Sequence, residues 1–472
     1  MRNRVKALLI VVLVFLAGVT SYLVLSAPSS PHAAGSPPAA CSSSVGPSLG
    51  SEIPGNRTTG NWTTYHQDNY RSGEVPMANI TSVHPKWTVP SSVDGQVFAE
   101  PLLCGGAVFV ATENNSVYAL NATSGSVLWR THLGAPVPGA SLPCGDIDPS
   151  GITGTPVIDL ATNTIFVVAF LNPDQHVLFG LNIRNGSVRS QVVVDPAGAE
   201  PQVEQERGAL ALSNGIVYIP FGGLDGDCGP YHGWVVGVRA DGSGGLLSYE
   251  VPTGRAGGIW SPAGISIAAN GDLLVATGNS DATTTFDYGD SVIELSPSLL
   301  VLGYFAPTNW AQLNAGDTDL GSVAPTILPN GDIVQIGKEG VAYLLSGTNL
   351  GGIGGQVYSS NVCAGAYAGT AHVGRTVLIA CVDGLLRVDV GASTTSVAWQ
   401  TAGFDAGAPV VTGNIVWAVD TSAANLLGFN LSTGQQVFSF SLGSVDHFIT
   451  PAAAPDSLFV AGGNQVYAFS LV

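Results

Sequence analysis

The sequence predicts an all-β fold: an eight-bladed β-propeller of four-stranded antiparallel blades, closed by an N-terminal strand and preceded by one N-terminal helix. Three observations carry the prediction. Short β-rich runs separated by Gly, Asn and Asp recur along most of the chain, with no long stretch of helical period after the N-terminus. Taking Pro101, Pro156, Ala209, Pro262, Pro325, Thr370, Pro409 and Pro451 as equivalent gives spacings of 55, 53, 53, 63, 45, 39 and 42 residues. Repeats of about this length with four strands each are propeller blades. Finally, the last repeat stops at AFSLV, where a third strand ends, while an unattached run, PKWTVP at 85–90, precedes the first complete unit. A ring of sheets must remove its open edges, so 85–90 is expected to supply the missing outer strand of blade eight.

The elements follow in order. MRNRVK is basic and leads into ALLIVVLVFLAGVTSYLVLSA, an apolar run of about 20 residues, long enough to span a bilayer. Arg2, Arg4 and Lys6 would stay cytoplasmic and leave the remainder outside. Residues 1–27 therefore read as a signal anchor or a cleaved signal peptide, an A-x-A-like site after Pro31 keeping the second reading open. Residues 28–60 are Pro, Ser, Gly and Ala with almost no aliphatic side chains, the composition of a linker. Residues 61–472 form the propeller. The expected location is extracytoplasmic, on the cell membrane.

The clearest blade is 98–134. It reads as strand 100–104, a Gly105-Gly106 turn, strand 107–112, an Asn114-Asn115 turn, strand 116–121, a Ser124-Gly125 turn and strand 126–132. Apolar residues make up 45% of the chain and charged residues 10%, enough for a large core. A net charge of −18 excludes a phosphate-backbone partner, which needs a basic face. Six cysteines outside the cell are more often paired than free. Cys144 lies on the connection into blade two and Cys228 in the loop of blade three. Cys363 and Cys381 flank the inner strand of blade six at hairpin distance. The pairs 144–228 and 363–381 are predicted, with Cys41 and Cys104 unassigned.

The run YALNATSGSVLWRTHLG resembles the tryptophan-docking repeat of the pyrroloquinoline quinone (PQQ) propeller family, A-x-D/N-x-x-T-G-x-x-x-W. Ala119, Asn121, Gly125 and Trp129 match it. GFNLSTGQQVF matches with Phe438 in place of Trp, and Trp399 ends blade six. NWTTYHQDNYRSG, 61–73, is similar to the family's opening segment, so the resemblance covers about 62–472.

Trp260 is out of register with the docking tryptophans. It comes two residues before Pro262, at the start of the innermost strand of blade four, where side chains line the channel. GGIWSPAGISIAANGDLLVATGNS, 257–280, is similar to the quinoprotein dehydrogenase segment whose Trp stacks under PQQ and whose Asn ligates Ca²⁺. The resemblance implies that Trp260 binds the cofactor and Asn279 the metal. GGLDGDCGPYHGWVVGV, 222–238, falls where the family places a Ca²⁺-binding Glu. Glu is absent, and Asp225 or Asp227 offers the same oxygen chemistry. NAGDTDLGSVAP, 314–325, falls where the catalytic Asp lies, with Asp319 and Asp317 both available as general base. Lys338 takes the place of the basic residue at the quinone oxygen. The other lysines of the three, Lys6 and Lys86, are explained by topology and surface.

Each residue also has an architectural use. Trp260 plugs the channel or packs on a neighbouring blade, the Asp residues make turns, and Lys338 pairs with Glu339 or a channel carboxylate. The family's lid of two adjacent cysteines is absent, as is a haem motif. The resemblance implies a dehydrogenase that oxidises alcohol or polyol groups with PQQ and Ca²⁺ and passes electrons to an external acceptor. The alternative is a cofactor-free scaffold that binds an envelope protein, similar to the propeller lipoprotein of outer-membrane assembly.

Overall fold

The computed structural model describes residues 60–472 together with Pro38 and Cys41. The expected anchor, 1–27, and nearly all of the expected linker lie outside the described residues. Among the described residues no helix is long and apolar enough to cross a membrane.

Eight sheets follow one another along the chain, seven with an antiparallel four-stranded meander at the heart and the last with a three-stranded one joined by N-terminal strands. Blade one is Leu102–Cys104, Ala107–Thr112, Ser116–Asn121 and Val127–His132, within two residues of the expected strands. The two middle strands are buried almost throughout, whereas in Val127–His132 Trp129 alone is buried and the other residues are exposed or half-buried. That is the signature of a sheet covered on both faces at its centre and wet at its rim.

The last blade pairs Ala452–Ala454, Ser457–Gly462 and Gln465–Leu471 with two short N-terminal strands, Val83–Pro85 and Ser91–Ser92. The outer strand was expected at 85–90. Pro85 and Pro90 lack N–H donors, so the pairing breaks between them. The interruption turns Trp87 inward, where it is buried.

Trp87 donates through Nε1 to Ala122 O at 3.2 Å, Trp129 to Ile183 O at 2.9 Å and Trp399 to Leu431 O at 2.9 Å. Each thus clasps the turn of the next blade, closing junctions eight to one, one to two and six to seven. The turn must be Gly. Gly186 has φ +69°, and a Cβ there would come within 2.5 Å of the Trp129 ring.

Alanines from five successive blades, Ala209, Ala263, Ala324, Ala368 and Ala408, meet Tyr65 on the axis. Small side chains let the inner strands converge, and the 61–73 segment fills what remains. Trp62 pairs with Leu103 and donates to Glu100 Oε1 at 2.6 Å. His66 Nδ1 lies 2.9 Å from Thr370 O, and Arg71 donates to Ile265 O at 2.6 Å. Burial pushes the His66 imidazole down to about 3, so it is neutral at ordinary pH.

Cys144–Cys228 and Cys363–Cys381 are paired as expected, with Cα separations of 6.1 and 6.4 Å. Cys41 pairs with Cys104, fastening the chain before the propeller to blade one.

Candidate functional site

The site forms where the connections into blades four and five meet loops of the same face. Trp260 leads into the inner strand of blade four and is half-buried. Lys338, after the second strand of blade five, sets Nζ 5.5 Å from the centre of the Trp260 ring, a cation–π contact. Lys338 donates to Asp319 Oδ2 at 2.8 Å and to Asp317 Oδ1 at 2.9 Å. Its partners are therefore channel carboxylates. Glu339 instead accepts from Asn309 and Tyr343.

Burial separates the two Asp candidates, which looked equivalent in sequence. The Asp319 side chain is 5% exposed and the Asp317 side chain 64%, so Asp319 is the channel acid and Asp317 flanks it in solvent. Asp319 Oδ1 accepts from the Asn279 backbone N at 2.7 Å. A Cβ on Gly278 would lie 3.0 Å from Trp260 Nε1 and 3.1 Å from Asp319 Oδ1, so glycine is what lets these groups approach. Trp260, Asn279, Asp319 and Lys338 thus converge.

Burial raises the Asp319 pKa, while Lys338 and the Asn279 N–H oppose it. Lys338 is held above the ordinary lysine range, its own burial outweighed by the two carboxylates. Behind them Asp290 is wholly buried. It accepts from Leu320 N at 2.8 Å, its other oxygen has no partner, and burial beside Asp319 holds it well above the usual carboxylate range.

The expected metal ligands of blade three stand differently. Asp227 accepts from the Tyr231 hydroxyl at 2.5 Å, and its carbonyl accepts from Arg255. Asp225 is exposed and faces Arg207 electrostatically. Asp227 is therefore committed to shaping its loop, the architectural use noted for it above, and Cys228 pins that loop to Cys144. His232 sits 3.7 Å from Glu250 and away from the Asp319 cluster of contacts.

Three residues were missed in sequence. Tyr367 and Phe448 lie 6.4 and 6.3 Å from Trp260 and stack on each other at 6.0 Å, interplanar angle 19°. Arg207 is half-buried with its guanidinium 4.6 Å from the Phe448 ring centre, and its buried Nη2 has no partner. The signal available was register. Arg207 precedes Ala209 as Trp260 precedes Pro262, and Tyr367 precedes Thr370 as Phe448 precedes Pro451.

Beside Arg207, Glu113 accepts from Gly151 N at 2.6 Å, and burial pushes it up to about 7. Glu206 next to it is raised well above the usual range for the same reason. Glu204, accepting from Trp234 Nε1 at 3.2 Å, is pushed up by burial to about 8.

This arrangement tests the implied cofactor. PQQ is a flat tricarboxylate, and the site offers an aromatic face, the Lys338 cation and a guanidinium with a buried, unpartnered nitrogen. Those groups fit it. Of the implied metal set, Asn279 stands beside Asp319 through its backbone N–H, while Asp227 is held by Tyr231.

The fold is an eight-bladed β-propeller that resembles the PQQ-repeat propellers. The family described as "Outer membrane protein assembly factor BamB" matches residues 71–288. Among solved structures, the quinohemoprotein alcohol dehydrogenase ADHIIG of Pseudomonas putida HK5 superposes with a TM-score of 0.69 at 13% identity, over 88% of this chain and 81% of that one. A europium-containing methanol dehydrogenase gives 0.68 at 13% identity, over 87% and 98%. BamB of Moraxella catarrhalis gives 0.55 at 12% identity, over 83% and 98%. At such identities these likenesses concern the fold alone. No curated protein matches the chain.

Proposed function

We propose that the chain is a quinoprotein-type dehydrogenase that oxidises hydroxyl groups of alcohols or polyols. The observation that carries this reading is the convergence of Trp260, Asn279, Asp319 and Lys338. Trp260 would take the flat face of PQQ, with Lys338 and Arg207 neutralising its charge and Asn279 and Asp319 offering oxygens to Ca²⁺. A bound PQQ supplies the two-electron acceptor. Asp319 takes the hydroxyl proton of the substrate. Burial raises its affinity for that proton, and Lys338 keeps the carboxylate charged beforehand. With no haem motif in the chain, electrons leave to a separate acceptor.

We further read the two short pairings at Val83–Pro85 and Ser91–Ser92 as the seam of the ring. Residues 1–27 would tether the propeller outside the cell.

The test is reconstitution. Full-length protein loaded with PQQ and Ca²⁺ is expected to reduce an artificial electron acceptor with alcohols or polyols, and Asp319→Asn to lose that activity while still binding PQQ. Failure to bind PQQ at micromolar concentration overturns the reading.

One observation favours a second reading, a scaffold for an envelope protein. Tyr367 and Phe448 stack on each other beside Trp260 and supply it with protein partners. If these rings fill the channel mouth, the loops of blades two to four become the contact surface, and pull-down from envelope membranes would recover a partner.

A further inference from the structure

Blade four carries the longest repeat spacing, and its extra residues form loop 280–291 and the short helix Trp310–Ala315. With the outer strand Val301–Ala306 they place four rings side by side. Phe286 stacks on Tyr304 at 5.3 Å and 25°. Tyr288 meets Tyr304 edge-on at 5.0 Å, and Trp310 meets Phe286 edge-on at 5.4 Å. All four are half-buried. Tyr288 packs down onto the core of blade four, whereas the other three rings join none of the described core clusters.

The platform is built stiffly. Tyr288 has φ +70°, a conformation that a bulky residue takes only when its surroundings impose it. Ser280 Oγ donates to Asp287 at 2.8 Å, closing the loop on itself. The buried Asn314 side chain accepts from Ser280 N at 2.9 Å and donates to Ala282 O at 2.8 Å, tying helix to loop. Both tied segments run straight into the site: Ser280 follows Asn279, and the helix leads to Asp317 and Asp319.

The chemistry of the patch narrows its ligand. Residues 280–316 contain no Lys, Arg or His; Asp281 and Asp287 lie on the loop that carries Phe286 and Tyr288, with Asp281 paired to Arg255 at 3.2 Å, whereas Asp290 is wholly buried. An anionic ligand is repelled. An apolar protein surface would strip water from the rim carboxylates without returning hydrogen bonds. A pyranose ring satisfies both demands, since its C–H face stacks on aromatic rings while its hydroxyls donate to carboxylates.

We propose that this platform binds pyranose units of a neutral saccharide chain. That the bound chain is also the hydroxyl substrate rests on the dehydrogenase reading above; the binding itself does not.

Calorimetric titration of the full chain, without PQQ or Ca²⁺, tests it with cellohexaose, maltohexaose and laminarihexaose as probes and a galacturonate hexamer as the acidic control. At least one neutral hexamer is expected to bind with Kd below roughly 1 mM, and the acidic control not to bind. Trp310→Ala and Phe286→Ala should each weaken binding about tenfold, and Trp310→Phe less, with unchanged melting temperature. Asp319→Asn should retain the affinity. Absence of binding by all three neutral hexamers at about 10 mM overturns the proposal, as would wild-type affinity in Trp310→Ala or loss of affinity in Asp319→Asn. Failure to bind PQQ would leave these outcomes unaltered.

Discussion

Two arcs of the ring are built on different principles. From blade six round to blade two, junctions are closed by docked tryptophans, Trp399, Trp87 and Trp129, with Phe438 packing on Phe469 of blade eight in between. From blade three to blade five these clasps give way to inserted loops and a denser set of ionisable groups, the buried Glu204, Glu206, Asp290 and Asp319 and the half-buried Arg207 and Lys338, where the first arc keeps Glu100 and Glu113 of blade one. The first arc gains stability from apolar burial and one hydrogen bond per junction. The second carries carboxylates whose desolvation outweighs their hydrogen bonds, with Lys338 held charged by Asp317 and Asp319. The difference teaches where to look for chemistry: in the arc that keeps groups its fold does not need.

The comparison is sharpest for tryptophans. Trp129→Ala should cost about 3–5 kcal/mol by leaving a cavity against Gly186 and an unpaired Ile183 carbonyl. Trp260→Ala, half-exposed, should cost about 1 kcal/mol and abolish PQQ binding. Denaturant unfolding of both variants decides it; equal losses would break the distinction between the arcs.

Lys338→Met comes next. It strands the buried Asp319 carboxylate, at a cost of about 3 kcal/mol. Adding Asp319→Asn should recover most of that loss, because no buried charge is then left alone. A double-mutant cycle without recovery would show that Lys338 acts on stability through packing.

Removing the Cys144–Cys228 bridge by replacing both residues with Ser should cost about 2–4 kcal/mol, read as a lower melting temperature. It should also loosen the blade-three loop while leaving Trp129 junctions intact. Proteolysis confined to 224–232 is the expected sign.

A further contrast is in pH. Glu113 and Glu204 have folded pKa values of about 7 and about 8, against 4.5 when unfolded. The folded protein therefore holds protons that the unfolded chain has lost, and their contribution to stability falls as pH rises from 4.5 to 8. His66 has the opposite sign. Its folded pKa of about 3 lies below 6.5, so its contribution is lost as pH falls from 6.5 towards 3. Above pH 6.5 only the carboxylates act, and melting temperature should decline towards pH 8. Glu204→Gln should flatten that decline; an unchanged slope would remove Glu204 from the account.

The regular arc was largely legible. Gly-rich turns and strand-length apolar runs are local signals, and blade one was placed within two residues. The outer strand of blade eight was expected at 85–90, whereas Val83–Pro85 and Ser91–Ser92 are the segments that pair with Gln465–Leu471, with Trp87 buried between them. The site was legible in part. Trp260 and Asn279 stood out through resemblance, and Lys338 through rarity. Arg207, Tyr367 and Phe448 did not, because each sits in a different repeat and nothing local links it to Trp260.

By itself the sequence determined the repeat and the number of blades, which follow from hydrophobic period and turn chemistry within single units, and two of the disulfides, which follow from where the repeat places the cysteines: Cys363 and Cys381 in one blade, Cys144 and Cys228 on loops of two neighbouring ones. Tertiary structure alone decided which of Asp317 and Asp319 is buried, that Asp227 is bound to Tyr231, and that Cys41 meets Cys104. The physical reason is the same in each case. Burial and ion pairing are properties of distance, and in a propeller the groups that meet at its centre come from segments far apart along the chain.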